Sequence, residues 1–120
     1  MYSDHFFMGG GQGASAHGDG KSALLYPTSA ANTSIELLET RAPVLVLEKT
    51  LVTDSGGAGR LRGGLGTRTS VRKLHDDGLP TQFSIYPEGV GIATEGLRGG
   101  WAGVGARGVV RDAKIARNCS

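Results

Sequence analysis

Two glycine-rich stretches hold most of the residues whose types and spacing could do chemistry. Residues 8–20 read MGGGQGASAHGDG and residues 54–66 read DSGGAGRLRGGLG, with six glycines in each. Such backbone serves positive φ angles or the close approach of other groups. Amides exposed between glycines cradle anions. Guanidinium groups grip carboxylates and phosphates bidentately. Both conditions meet in the second stretch. Residues 55–75 carry five bases, Arg60, Arg62, Arg68, Arg72 and Lys73, and no acid. Asp54, Arg60 and Arg62 are therefore the anion-binding candidates. The competing reading pairs these arginines with carboxylates across a subunit interface, and residue types alone leave both open.

Other chemistry is poorly served. A phosphate-binding P-loop needs a glycine, four residues, then Gly-Lys-Ser/Thr. Gly20-Lys21-Ser22 supplies the tripeptide, but Ser15 stands where the first glycine belongs. Neither glycine stretch sits clearly between a strand and a long helix, as a dinucleotide fold requires. His5, His17 and Asp19 are the only grouping that could chelate a metal, at a spacing that is not diagnostic. His75, beside Asp76 and Asp77, reads as a solvated turn residue. Cys119 lies in a polar tail with no histidine near it in sequence. Ser55 is in no nucleophile elbow and reads as the residue that ends a strand and opens a turn. Glu36 and Glu39 are explained by helix capping and solubility. No catalytic residue and no metal ligand is assigned.

The elements that must position these residues follow from pattern. Residues 21–26 are a short strand candidate ended by Pro27. Thr33-Ser34-Ile35-Glu36 matches a capping box, in which the Thr33 hydroxyl accepts from the Glu36 amide. A helix should run from there to residues 40–42, where Pro43 stops it. Residues 44–53, VLVLEKTLVT, are the best strand in the chain. Residues 67–74 and 81–86 are two more, joined through the turn signal DDGLP. Residues 109–115 form a last short strand or a frayed tail. The fold class is α+β, β-rich with one short helix, four to five strands and glycine-rich loops.

Composition narrows the class further. The chain has 120 residues, 21 of them glycine, only seven aromatic and 38% hydrophobic. Glycine shows no triplet period, which excludes collagen. A net charge of +2 gives no reason to expect nucleic acid or an anionic membrane as partner. The longest uncharged apolar run, residues 44–47, is far below the ~20 residues that span a bilayer. A single cysteine allows no internal disulfide, and no secretory leader pattern opens the chain. A cytoplasmic protein is expected, supported by surfaces other than its own.

The ordered motifs say more than any one of them. GGGQGA with Asp19-Gly20, then NTSIELLETRAP, then a strand, then DSGGAGRLRGGLG, closely resembles the C-terminal part of the hydantoinase B/5-oxoprolinase family. The likeness is close over residues 8–73 and weaker over 74–120, so residues 1–120 are expected to be part of a larger domain. Residue by residue it covers Gly9, Gly10, Gly11, Gly13 and Asp19 in the first motif. It covers Asn32, Thr33, Glu36 and Glu39 in the second, where Ser34 replaces a common proline. The third runs from Asp54 to Gly66 and includes Gly56, Gly57, Gly59, Gly63, Gly64 and Gly66.

The resemblance implies a B-type subunit that pairs with an A-type, actin-like, ATP-using partner to open cyclic amides such as hydantoin or 5-oxoproline. It implies ATP and a divalent metal for the full complex, with none bound by this chain alone. The expected partners are the A-type subunit and the N-terminal part of the B-type subunit. The matched residues are expected at structural and interface positions lining a shared site. A ketone carboxylase subunit segment and a non-catalytic assembly module are the alternatives.

Overall fold

The computed structural model describes residues 6–25, 30–74 and 89–109. Ser34 opens its helix, α1 (Ile35–Arg41), from extended backbone (φ −68°, ψ 150°), and the Ser34 hydroxyl accepts from the Leu37 amide at 3.2 Å. The cap is thus Ser34 and not Thr33. The reason is register: with Ile35 as the first helical residue, the third is Leu37, so no acid stands where a capping box needs one. The Thr33 carbonyl is meanwhile taken by the Lys49 ammonium. Glu36 still places a negative charge in the first turn and Arg41 a positive one in the last, both favoured by the helix dipole. The extended Ala42 before Pro43 ends the helix.

Strand β1 (Val44–Leu51) follows at once and pairs antiparallel with β2 (Thr67–Lys73), from Val44 opposite Lys73 to Leu51 opposite Thr67. The register shifts between Val46 and Glu48, which makes Leu47 the extra residue of a bulge. Beside that bulge the Val46 amide donates to Glu39 Oε1 at 2.9 Å, so the helix holds the strand where the ladder is disturbed. Glu39 therefore does more than solubilise the helix. Pairing extends beyond the strands at both ends, through Val52 N to the Gly66 carbonyl and Leu74 N to the Pro43 carbonyl. Leu38 on α1 and Val44 on β1, 5% and 8% exposed, are the buried apolar residues among those described.

The described residues form an α+β fragment with one short helix and a two-stranded sheet. The strand expected at 21–26 is replaced by a turn at Ser22 and Ala23, and only Leu24 forms a β-bridge, to Gly10. Ala23 is left-handed, at φ 52°, which a strand cannot contain. The strand expected at 44–53 ends at Leu51. The strand at 81–86 and its preceding turn lie outside the described residues, as does 109–115 apart from Val109. His5, His75 and Cys119 lie outside them too. Residues 89–109 form no helix or strand. They lie against the loop between β1 and β2 through Trp101 N to the Ala58 carbonyl (2.8 Å) and Val104 N to the Ser55 carbonyl (3.1 Å). Among the described residues no helix is long and apolar enough to cross a membrane.

Candidate functional site

The two glycine stretches meet in space, and residues 20–24 run between them. On one side Gln12 N donates to the Lys21 carbonyl and Leu24 N to the Gly10 carbonyl. On the other, Gly20 N donates to the Arg62 carbonyl and Ala23 N to the Leu65 carbonyl, while Gly64 N reaches the Gln12 carbonyl. These bonds bring backbone against backbone with no room for side chains. A Cβ on Gly11 would collide with the Gly64 carbonyl, and one on Gly64 with the Lys21 carbonyl. Gly9, Gly56 and Gly57 are similarly enclosed by backbone, whereas Gly10 and Gly13 face open space. The matched glycines are thus of two kinds.

Short polar side chains close the edges of this interlock. Asn32 accepts from the Gly9 amide (3.2 Å) and donates to the Ala23 carbonyl (2.7 Å), which fixes the left-handed turn. Thr67, the first residue of β2, donates to the Gly9 carbonyl at 2.7 Å. Ser22 Oγ accepts from Leu65 N at 2.9 Å. Ser55 donates to the Val52 carbonyl (2.7 Å) and accepts from Gly66 N (2.9 Å), so it clasps the two ends of the loop. Thr67 carried no motif of its own, and Ser22 only the Gly-Lys-Ser tripeptide of an incomplete P-loop. Their signal is position: a hydroxyl next to a glycine run supplies an acceptor or donor that the run's side chains cannot.

The charged candidates divide. Asp19 Oδ1 accepts from the Arg62 amide at 2.9 Å, and Oδ2 lies 3.7 Å from Arg62 Nε. Arg62 is therefore paired within the chain, which joins the two motifs. Arg60 and Asp54 are exposed and, among the described residues, neither side chain has a hydrogen-bond or ion-pair partner. Asp54 sits in left-handed backbone at φ 55°, a turn role that aspartate tolerates. Glu36 is exposed and Thr33 contributes its carbonyl, so of the helix motif Asn32 and Glu39 make the cross-links.

An open hollow of about 260 Å³ lies beside the Asn32 clasp, lined by Ala23, Asn32, Lys49, Thr50, Leu51 and Thr67. The Lys49 ammonium, 5.5 Å from the centroid of the Phe6 ring, already bonds the Thr33 carbonyl. Neither Arg60 nor Arg62 lines the hollow. Among the described residues no group of three or more His, Cys, Asp or Glu could hold a metal. Among the described residues His17 and Asp19 gather no further ligand, and Asp19 is held by Arg62. Ser22 of the Gly-Lys-Ser tripeptide is bonded to Leu65, and among the described residues the next helix is α1, which starts at Ile35.

The chain is 39% identical over 84 residues to an uncharacterised protein of Methanocaldococcus jannaschii, covering 69% of this chain and 14% of that one. It is 40% identical over 83 residues to the caprolactamase subunit beta of Pseudomonas jessenii, covering 69% and 13%. It is 35% identical over 97 residues to the 5-oxoprolinase PfmaA of Pestalotiopsis fici, covering 80% and 7%. The chain thus spans a small part of the length of the relatives it matches. No solved structure matches it. A family profile, hydantoinase B/oxoprolinase, matches residues 2–119, nearly the whole sequence, and the chain belongs to that family.

Proposed function

We propose that the chain is a segment of the B-type subunit of an ATP-dependent cyclic-amide hydrolase, acting in a multi-subunit assembly with an A-type partner. The family match over residues 2–119 carries the reading. The names of two relatives support it, one a caprolactamase subunit and the other a 5-oxoprolinase. The interlocked glycine stretches suit a structural part of such a site. They build a wall of backbone whose shape is set by main-chain bonds and by short side-chain clasps at its edges. The described residues fit neither a metal nor a P-loop nucleotide, so ATP and metal chemistry are proposed to come from other parts of the assembly.

The test is ring opening by the complete assembly that carries this segment. ATP-coupled hydrolysis of a lactam, 5-oxoproline or hydantoin that requires both subunit types would support the reading. Carboxylation of acetone or acetophenone in place of hydrolysis would move the segment to a ketone carboxylase. Assembly with no turnover on any of these would leave it a docking module and overturn the proposal.

A further inference from the structure

Asp19 is followed by Gly20, and the interlock constrains both positions. Asp19 supplies the acceptor for the Arg62 amide, Oδ1 at 2.9 Å, and its other oxygen lies 3.7 Å from Arg62 Nε. At Gly20 a Cβ would collide with the Gln12 carbonyl and the Gly64 nitrogen, both of them backbone. The Gly20 amide in turn donates to the Arg62 carbonyl at 2.8 Å. The fold thus calls for an acid followed by glycine. That is the dipeptide most open to attack by its own backbone on its own side chain, because glycine puts no Cβ beside the attacking nitrogen. Burial gives no protection, since the Asp19 side chain is 53% exposed.

The reaction needs no other reagent than water. The Gly20 nitrogen gives up its proton and attacks Asp19 Cγ. A C–N bond forms, a Cγ–O bond breaks, and the oxygen leaves as water, closing a succinimide ring. Water then opens the ring at one of its two carbonyls. Opening at Cγ restores aspartate. Opening at the main-chain carbonyl leaves isoaspartate, whose backbone runs through the former side chain and is one carbon longer. In the closed interlock a single residue occupies both reacting groups: Arg62 holds the carboxylate with its amide and the Gly20 N–H with its carbonyl. We propose that Asp19-Gly20 is a site of isoaspartate formation gated by the interlock, inert while Arg62 grips it and reactive when residues 9–24 part from residues 54–66. The product then keeps the interlock open. A backbone one carbon longer does not offer the carboxylate to the Arg62 amide and the Gly20 N–H to its carbonyl in the same register.

The test follows isoaspartate at residue 19 in the full chain, aged at neutral pH, by peptide mapping with isoaspartyl methyltransferase as the labelling probe. Asp77-Gly78, the other Asp-Gly of the sequence, lies outside the described residues and serves as the standard in urea, where both pairs should isomerise alike. Without urea, residue 19 should react at least about fivefold more slowly, because only the open fraction reacts. Gly11→Ala, whose Cβ meets the Gly64 carbonyl, should bring the rate towards that in urea, and Gly13→Ala, facing open space, should leave it unchanged. Amide exchange separates opening of the interlock from unfolding. Gly20 should exchange fast in Gly11→Ala while Val52 and Leu74, bonded at the two ends of the β1–β2 ladder, stay slow. If Gly11→Ala loses the ladder as well, Thr67→Val decides, since it removes only the clasp on the Gly9 carbonyl; its rate should rise in step with Gly20 exchange. Arg62→Ala keeps both main-chain bonds and loses only an exposed ion pair, so it should change the rate less than about twofold. Equal rates at residue 19 with and without urea, or rates that do not follow Gly20 exchange across the variants, would overturn the proposal. So would an isoaspartate-bearing chain whose Gly20 amide stays as protected as before. No turnover is measured, so this result and the test of the proposed function stand or fall separately.

Discussion

Asp19 holds Arg62 twice, by its main-chain amide and more loosely by its guanidinium. Both side chains are more than half exposed, so the ion pair itself should contribute little. The amide bond is the stronger tie. Asp19→Asn keeps an acceptor and should cost under about 0.5 kcal/mol, whereas Asp19→Ala loses an exposed bond and should cost about 0.5–1.5 kcal/mol. Urea unfolding of the two variants would check the order, and equal losses would contradict it. Ser34 makes a similar local claim. Ser34→Ala should cost about 0.5–2 kcal/mol, and Thr33→Ala only a few tenths, measured the same way. Sequence placed the helix correctly but put its cap one residue early. Thr33 and Ser34 are both good caps, and what separates them is the register fixed when Lys49 takes the Thr33 carbonyl. The Asp19–Arg62 pair was not legible at all, because its members are 43 positions apart.

Among elements, β1, β2 and α1 were legible because each carries its own signal: an apolar run, alternation with β-branched residues, and a terminal proline. Residues 21–26 have a strand's composition, but those described, 21–25, do not have its conformation. Ala23 is driven left-handed by bonds from Asn32 and to Leu65 that no local pattern announces. The glycine motifs were legible as motifs, yet not which of their glycines are indispensable. The interlock now separates them. Gly64→Ala should cost at least about 2–3 kcal/mol, since a Cβ would overlap the Lys21 backbone, which cannot yield as a side chain can. Gly13→Ala, facing open space, should stay within about 0.5 kcal/mol. Paired thermal melts in a cooperatively folding assembly would show this. A tolerated Gly64→Ala would mean the stretches do not touch as described.

At the scale of the whole molecule, apolar surface is left uncovered. Trp101, Leu97 and Ile92 are 77%, 89% and 82% exposed, while the buried apolar residues described are Leu38 and Val44. A domain of this size should bury more than ~60% of its unfolded surface. The isolated chain should therefore be marginally stable, with no sharp cooperative transition above ~65 °C in circular dichroism. It should also show no ring opening with ATP, magnesium or manganese and 5-oxoproline above a heat-killed control. Either result to the contrary would make the chain self-sufficient.

The interlock also has a consequence in time. Its bonds close over long separations, 43 residues from Asp19 to Arg62 and from Ser22 to Leu65, and 58 from Gly9 to Thr67. Contacts so distant in sequence form slowly, because chain entropy is lost before they repay it. The β1–β2 ladder, nearer in sequence, would close first and carry residues 54–66 to a preformed edge where residues 9–24 dock last. Breaking the interlock should then leave the folding rate nearly unchanged and appear as faster unfolding.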